Sequence, residues 1–243
     1  MNLYTKLRQG FIEAVKENHL ENETLTVAFK TLTPEEAIGI TGRKDYPILN
    51  GKEVMLEADF RGAKGQAFTI SRSMFQGNLQ DVLEGDIEEN AYDRALFIAA
   101  FNAVMRYLGR CDRSIHCRDE EPELCGRKFL EYMKENASGR KIALIGYQPS
   151  ILANLAETFS IRVLEVNPEL VGSVKSGVVL EDGITSSQDV LDWADLILCT
   201  GSVLCNGTLE PFLHLDKPTY FYGTTIAAAA PVLGIERLCF CSV

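Results

Sequence analysis

The sequence lacks a hydrophobic run long enough to cross a membrane. Its longest apolar stretch, Ala95 to Phe101, is far shorter than the roughly 20 residues that a membrane-spanning helix needs. The segment from Met1 to Leu20 carries scattered charges and has no apolar region of the kind found in export signals. We therefore expect a soluble, cytoplasmic protein.

Basic charge is also scarce. Lys and Arg number 24 against 34 Asp and Glu, which gives a formal net charge of −10. Nucleic-acid-binding proteins need a basic face to neutralise phosphates, and anionic membranes attract basic segments. The composition therefore argues against nucleic acid and membrane as partners, although it permits a local basic pocket for an anionic metabolite.

Several enzyme signatures are missing as well. The sequence contains no G-x-S-x-G or H-E-x-x-H motif, and its three histidines fall in no recognisable triad. These absences disfavour a hydrolytic triad. The seven cysteines are an odd number without an export signal, so we expect mostly reduced thiols.

The pattern of secondary structure changes near residue 137. Before it, the sequence predicts strands at Thr24–Thr31, Glu53–Phe60 and Gly65–Ser71, followed by an apolar helix at Tyr92–Leu108 and a further helix at Leu124–Lys134. Strands followed by helices are typical of an α+β domain. We place the domain boundary in the polar stretch after this last helix, which predicts domains at 1–137 and 138–243.

After the boundary, short apolar strands alternate with helices. Strands are predicted at Lys141–Ile145, Ile161–Val166, Gly177–Leu180, Asp195–Cys199, Thr219–Tyr222 and Arg237–Cys241. Helices are predicted at Ser150–Phe159, Gln188–Trp193, Gly207–Leu213 and Thr225–Leu233. This alternation indicates a Rossmann-like, doubly wound parallel sheet covered on both faces.

Three turns after predicted strands are rich in Gly, hydroxyl and amide groups: 146–150, 200–208 and 223–225. In an open parallel sheet, ligands bind at the carboxyl ends of the strands, near the point where the strand order reverses. Each turn alone is compatible with a capped helix start. Three of them at successive strand ends favour a ligand site, in which helix N-termini would hold an anion or a carbonyl oxygen.

Glu165 ends the second strand of this half, 19 residues after Gly146. Nucleotide-binding Rossmann domains place an acid there to accept hydrogen bonds from ribose, although a solvated acid is the alternative. The first turn has no G-x-G-x-x-G motif, which disfavours classical NAD binding. An S-adenosylmethionine-like or other heterocyclic ligand fits this looser glycine pattern better.

Asn102 lies inside the apolar helix of the first half. A buried amide must be hydrogen-bonded, so Asn102 either makes a structural bond to a neighbouring loop or projects into the cleft between the domains.

The cysteines permit a metal hypothesis. Cys111, His116, Cys117 and Cys125 lie within 15 residues, and thiolates with imidazole suit Zn²⁺ or heavier metals, but their spacing is not that of a zinc knuckle. Cys205 could face the cleft from the 200–208 turn. Packing is nevertheless the better interpretation for Cys205, as it is for three further cysteines. They are Cys199, Cys239 and Cys241.

Several short segments together resemble a known family of prokaryotic proteins, the "putative heavy-metal chelation" family. The most specific is Thr-Gly-Ser-Val-Leu-Cys-Asn-Gly-Thr at 200–208. The weaker ones are Ala-Phe-Asn-Ala at 100–103, Ile-Gly-Tyr-Gln-Pro at 145–149, Leu-Glu-Val-Asn-Pro at 164–168, Ala-Asp-Leu-Ile-Leu at 194–198 and Tyr-Gly-Thr-Thr at 222–225.

The resemblance implies an enolase N-terminal-like domain followed by a Rossmann-like domain similar to methyltransferase domains, with a site between them. It implies an activity such as condensation or hydrolysis of a pterin-, flavin- or siderophore-like metabolite. The residues that it carries onto this chain are Asn102, Gly146, Tyr147, Pro149, Glu165, Asn167, Thr200, Gly201, Asn206, Thr208, Gly223 and Thr224.

Two functional hypotheses follow. In the first, the cleft binds and processes a small metabolite. Glu165 and Asn206 are the predicted catalytic residues, Glu165 as acid/base or hydroxyl-binding group, and Ser202 is one of the ligand-binding residues of the 200–208 turn. In the second, the protein binds a heavy or transition metal or its chelate without catalysis. A pure assembly protein is a third interpretation, and a homodimer is the expected oligomer because two-fold dimers are commonest.

Overall fold

The computed structural model of the protein describes residues 2–20, 26–70, 72 and 76–243. The first half contains α1 (Leu3–Glu17), β1 (Thr26–Leu32), α2 (Pro34–Ile38), α3 (Pro47–Asn50), β2 (Val54–Phe60), β3 (Ala63–Thr69), β4 (Gln76–Asn78), α4 (Leu79–Glu84) and α5 (Ala91–Tyr107). The predicted strand starting at Thr24 and the one ending at Ser71 have those ends outside the described residues.

The described strands of the first half form a four-stranded antiparallel sheet in the order β3-β2-β1-β4. Helix α5 crosses one face of it, and its residues from Arg94 to Met105 are all buried. The helix is buried on every side because the sheet covers one face and the second half of the chain covers another. Strands followed by a covering helix are the α+β arrangement that the sequence predicts.

Gly65 of β3 explains how α5 comes so close to the sheet. A Cβ atom at this position would lie 2.2 Å from the backbone nitrogen of Ala103 and 2.5 Å from the carbonyl oxygen of Ala99. Both atoms belong to the helix backbone, which cannot move aside as the end of a flexible side chain can. The helix and strand therefore pack with main chain against main chain.

Substituting Gly65 with Ala is expected to destabilise the protein by about 2 kcal/mol, because the added methyl group forces α5 away from the sheet. Chemical denaturation measures this free energy. Gly42→Ala is the matched control, since a Cβ there has no heavy atom within 4 Å. An equal, small effect of both substitutions would contradict the close packing.

The second half begins with α6 (Glu121–Asn136) and continues as an alternating series. Its elements are β5 (Ile142–Ile145), α7 (Pro149–Leu155), β6 (Ile161–Glu165), β7 (Val174–Lys175), β8 (Val178–Asp182), α8 (Ser187–Trp193), β9 (Leu196–Thr200), α9 (Ser202–Asn206), a 3₁₀ turn (Glu210–Phe212), β10 (Thr219–Tyr222), α10 (Ala229–Leu233) and β11 (Arg237–Leu238).

These strands form a sheet in the order β11-β10-β9-β5-β6-β8-β7, parallel except for the short β7. The chain leaves β5 in one direction towards β6 and returns to the other side at β9, so the strand order reverses between β5 and β9. This is the doubly wound topology that the alternating pattern predicts, and it confirms the mixed α/β fold.

Helix positions near the predicted site differ from the sequence-based expectation. The helix predicted at Gly207–Leu213 is wrong: that range contains only the 3₁₀ turn. The helix there is α9, which comes earlier and ends at Asn206, because Gly207 caps it with a φ of 76°. The predicted Thr225–Leu233 helix begins only at Ala229, after a series of turns. The last strand and α7 are shorter than predicted, ending at Leu238 and Leu155.

Helix α6 packs on the second sheet, with Cys125, Phe129 and Met133 in the core beneath the strands. Gly126 allows α6 to approach α7, since a Cβ there would lie 2.2 Å from the Ser150 hydroxyl. Helix α6 lies before the predicted domain boundary at residue 137, yet it packs on the second sheet. The division of the chain into domains at 1–137 and 138–243 stays a prediction. Among the described helices, none combines the length and apolar character needed to cross a membrane.

Candidate functional site

A cavity of about 420 Å³ lies at the carboxyl ends of β5, β9 and β10, where the strand order reverses. The first half of the chain covers it with Tyr46, Glu53 and Phe68, and α6 contributes Cys125 and Phe129. The volume falls in the range of small-molecule sites, and such sites have mostly apolar walls with a few polar groups. This cavity is the candidate functional site.

Most of the residues predicted to bind a ligand line this cavity. They are Gly146, Tyr147, Pro149, Glu165, Thr200, Gly201, Ser202, Asn206, Thr208 and Gly223. The two glycine turns touch each other, because a Cβ at Gly146 would lie 2.6 Å from Cγ2 of Thr200. Gly146 also has a φ of 83°, which favours glycine. The sheet topology thus unites turns that are far apart in sequence.

Asn102 does not reach the cavity, which corrects its assignment as a ligand-binding residue. The side chain is fully buried, its amide nitrogen donates to the carbonyl oxygens of Gln66, Thr224 and Thr225, and its Oδ1 accepts from the Ala228 N–H at 2.8 Å. Both amide hydrogens are used, and the side chain is not part of the cavity lining. Asn102 instead joins α5 to the turn after β10. This is the structural bond to a neighbouring loop that the sequence offered as the alternative to a ligand contact.

Asn167 and Thr224 also lie outside the cavity lining, contrary to prediction. Oδ1 of Asn167 accepts from the Glu169 N–H at 3.1 Å and so closes a turn. Thr224 is fully buried, and within the described part of the chain its hydroxyl has no hydrogen-bond partner. Thr225 lines the cavity in its place, with its Oγ1 accepting from the Phe68 N–H at 2.9 Å.

The helix N-termini that were expected to hold an anion or a carbonyl oxygen belong to short helices. Helix α9 has five residues and α7 has seven, so neither has a substantial dipole. The Gln148 side chain caps α7 by accepting from the Ile151 N–H at 2.6 Å. The polar contacts available to a ligand therefore come from side chains and turn backbone.

Glu165 is buried at the end of β6, and its carboxylate is held by the backbone. Oε2 accepts from the Tyr147 N–H at 3.0 Å, and Oε1 accepts from the N–H groups of Val166 and Asn167, both at 2.8 Å. Three N–H donors around one carboxylate are complementary to its negative charge. Oε2 keeps a lone pair that can accept from a ligand, which suits hydroxyl binding better than proton transfer.

Glu53 is a candidate residue that the sequence reasoning missed. It lies immediately before β2 and lines the same cavity as Glu165. Burial, together with the negative charge of Glu165, raises the pKa of Glu53 from 4.5 to about 7. Nothing in the surrounding Asn-Gly-Lys-Glu sequence marks it, because its environment depends on the second half of the chain.

The rim of the cavity is closed by a polar network between the halves. The Tyr147 hydroxyl donates to Asp45 at 2.8 Å, and the Tyr46 hydroxyl donates to Glu123 at 2.7 Å. Arg43 pairs with Asp45 at 3.0 Å and lies 3.9 Å from Glu123. Burial and these carboxylates raise the pKa of both tyrosines, which therefore stay protonated donors.

The predicted metal candidates are separated in the structure. His116, Cys117 and Cys125 line the cavity, whereas Cys111 lies in a different surface groove. Cys205 is buried in α9, and it does not face the cleft. In the portion of the chain that the structure describes, no group of three or more His, Cys, Asp or Glu side chains is arranged to hold a metal ion.

Comparisons with known proteins agree with this fold. Residues 128–230 match the model of the family DUF364, described as "Putative heavy-metal chelation". A crystal structure of a DUF364 protein of unknown function from Pyrococcus horikoshii is similar with a TM-score of 0.54 and 17% identity, over 92% of this chain and 79% of that one. Another from Desulfitobacterium hafniense has a TM-score of 0.50 and 15% identity, over 74% and 72%.

At these identities the structural likeness concerns the fold. No curated protein matches the sequence. The family match covers the cavity turns after β5, β6, β9 and β10, and the resemblance inferred from the short segments is confirmed there. Residues 128–230 of the chain thus carry the sequence pattern of the "Putative heavy-metal chelation" family.

Proposed function

We propose that the protein binds a small, planar heterocyclic metabolite in the cavity and that Glu53 acts on it as a general acid or base. The observation that carries this proposal is the pair formed by Glu53 and Glu165 in one largely apolar cavity. A general acid or base works best with a pKa near the working pH, and the pKa of Glu53 is about 7. Glu165 then binds a hydroxyl or N–H group of the ligand.

The walls of the cavity support a flat ligand of the pterin or flavin type. Phe68, Phe129 and Ile145 offer apolar contact area, while Thr200 and Asn206 offer hydrogen-bonding groups on the other side. Condensation and hydrolysis both need a proton to be moved at one position while the rest of the ligand is held. A siderophore-like ligand would use the same groups.

Ligand-induced thermal stabilisation tests the site. A pterin, a flavin and a hydroxamate siderophore are each added to the full chain, and a true ligand at about 100 times its Kd is expected to stabilise the protein by about 2.7 kcal/mol. Asn206→Ala is expected to remove most of this stabilisation without changing the ligand-free Tm, because Asn206 is exposed at the cavity edge. Asn136→Ala, in the exposed end of α6, is the matched control.

Glu53→Gln separates binding from chemistry. The variant is expected to keep ligand stabilisation but to lose turnover at least about a hundredfold, because the amide cannot transfer the proton. Product formation is followed by mass spectrometry. If none of the three ligand types stabilises the protein, or if Asn206→Ala binds them as wild type does, the proposal is wrong.

Binding of a metal chelate is a second candidate function, favoured by the description of the family that residues 128–230 match. The same thermal assay distinguishes chelate binding from metabolite processing. A chelate binder is stabilised by the metal-loaded siderophore and not by its metal-free form, and it is unaffected by Glu53→Gln. A metabolite-processing protein shows no such dependence on the metal.

A further inference from the structure

A second concave region lies outside the candidate site, on the surface beyond the end of α5. It has a volume of about 500 Å³, and its lining residues come from the segments 109–113, 227–231 and 235–237. None of its lining residues also lines the cavity. We call it the arginine groove, and its volume falls in the range of small-molecule sites.

The arginine groove is basic, although the protein as a whole is acidic. Arg110, Arg113 and Arg237 line it against one lining acid, Asp112, while the chain has a net charge of −10. Glu17 pairs with Arg110 at 2.6 Å from outside the lining, so the positive charge of the groove rests mainly on Arg113 and Arg237. Guanidinium groups that share one concave surface repel each other unless an anion lies between them.

Arg237 is held in place and still has donors to offer. Only 9% of its side chain is exposed. Its Nη2 donates to the carbonyl oxygens of Asp112 and Arg113 at 3.2 and 3.1 Å. Among the described residues, nothing accepts a hydrogen bond from its Nε or Nη1, and neither nitrogen is sealed from solvent. A fixed guanidinium with unused N–H groups is suited to the oxygens of a phosphate or a carboxylate.

The Asp112 carboxylate satisfies neither of the two arginines fully. It lies 3.8 Å from Nε of Arg113 and 4.0 Å from Nη2 of Arg237, which is beyond hydrogen-bond distance. The side chain is 82% exposed, so water screens both contacts. Arg113 is anchored separately, since its Nη1 donates to the Cys239 carbonyl oxygen at 2.7 Å. The space beside the two guanidinium groups is therefore open to a more strongly charged anion.

The remaining wall of the arginine groove is apolar. It consists of Ala227, Ala230, Pro231 and Ile235. Cys111 also lines the groove, and burial raises the pKa of Cys111 to about 11, so its thiol is neutral at pH 7 and does not repel an anion. The groove thus combines a cationic side with an apolar side, which suits a ligand that has both an anionic group and a hydrocarbon part.

We propose that the arginine groove binds a small organic phosphate, whose phosphate group is held by Arg113 and Arg237 and whose apolar body lies against Pro231 and Ile235. A phosphate monoester carries about two negative charges at pH 7, which matches two guanidinium groups better than the single charge of a carboxylate does. The groove and the cavity have separate linings, so this inference stands apart from the proposed function.

Calorimetric titration of the full chain with phenyl phosphate, inorganic phosphate and citrate tests the ligand class. We expect phenyl phosphate to bind about tenfold more tightly than inorganic phosphate, because its ring covers apolar surface of the groove. Equal affinity for the two phosphates contradicts the apolar contact. Tighter binding of citrate than of either phosphate overturns the assignment to phosphate, and so does the absence of binding by all three.

Arg113→Asn tests the location of the bound phosphate. Arg113 has a φ of 52°, a left-handed conformation that Asn tolerates, so the substitution removes the charge without adding backbone strain. We expect phenyl phosphate to bind at least about tenfold more weakly, because charge-assisted hydrogen bonds are lost. Arg61→Asn is the matched control, since Arg61 has a φ of 53° and lies outside the groove lining. Equal weakening in both variants would overturn the site.

Two further variants separate the arginine groove from the cavity. Asp112→Asn removes the competing carboxylate and is expected to tighten phenyl phosphate binding about threefold. Unchanged or weaker binding would contradict a phosphate held between the two arginines. Asn206→Ala alters the cavity and should leave phenyl phosphate binding as it is in wild type. If it weakens this binding as much as Arg113→Asn does, the phosphate lies in the cavity and the groove proposal is wrong.

Discussion

Substituting Asn102 with Ala is expected to lower the free energy of unfolding by about 4 kcal/mol. The change removes a buried donor from the carbonyl oxygens of Gln66, Thr224 and Thr225 and the acceptor of the Ala228 N–H. The Thr224 oxygen still accepts from the Ala227 N–H at 3.0 Å, so it stays satisfied. Each unsatisfied buried group costs about 1–3 kcal/mol, and partial relaxation limits the sum. Urea denaturation followed by circular dichroism measures the loss.

The control for this prediction is Asn136→Ala. Asn136 donates to the Tyr132 carbonyl oxygen at 2.8 Å from an exposed position, where water can replace the bond, so its loss should cost less than about 0.5 kcal/mol. Asn102→Asp is informative as well, because it keeps the acceptor for Ala228 but turns an oxygen towards three carbonyl oxygens. A ligand-free stability of Asn102→Ala within 1 kcal/mol of wild type would refute the structural assignment.

Substituting Glu53 with Gln is expected to stabilise the protein at pH 8 by up to about 3 kcal/mol and to have no effect below pH 4.5. The pKa of Glu53 is raised from 4.5 to about 7 in the folded protein. Below pH 4.5 the carboxyl group is protonated in both states. Between pH 4.5 and 7 the unfolded chain loses this proton first, so wild-type stability falls as pH rises, and above pH 7 the full cost of the buried charge remains.

Thermal unfolding at a series of pH values measures this difference. For a chain of this size, 3 kcal/mol corresponds to a Tm increase of about 6–12 °C at pH 8. Glu131→Gln makes the same chemical change at an exposed position of α6 and should show no pH-dependent gain. If Glu53→Gln and wild type keep the same Tm difference at pH 4 and pH 8, the carboxyl group is not in the environment described for it.

Both predictions concern contacts between the two halves of the chain. Asn102 joins α5 to the turn after β10, and Glu53 lines the cavity together with Glu165, whose charge acts on it. The first half of the chain therefore supplies part of the wall of the candidate site and holds the turn after β10 in place. The cytoplasmic location, the homodimer and the absence of nucleic-acid and membrane partners stay predictions.

The sequence by itself determined the alternation of strands and helices in the second half and the turns that line the cavity. Apolar periodicity reports burial of each element, and a parallel sheet places the carboxyl ends of its strands on one edge, so Gly146, Glu165 and Thr200 could be placed together from local pattern alone. Four of the six short segments that resemble the family, 145–149, 164–168, 200–208 and 222–225, include these strand-end turns.

Only the tertiary structure decided which polar side chains face the cavity and which support it. Asn102 has the same local sequence whether it points at a ligand or at three backbone carbonyls, and only the close approach of β3 and the 223–228 turns settles this. The environment of Glu53 likewise depends on Glu165, a partner far away in sequence. Local periodicity carries no information on such long-range contacts, whereas the desolvation and hydrogen bonds that shift a pKa arise from them.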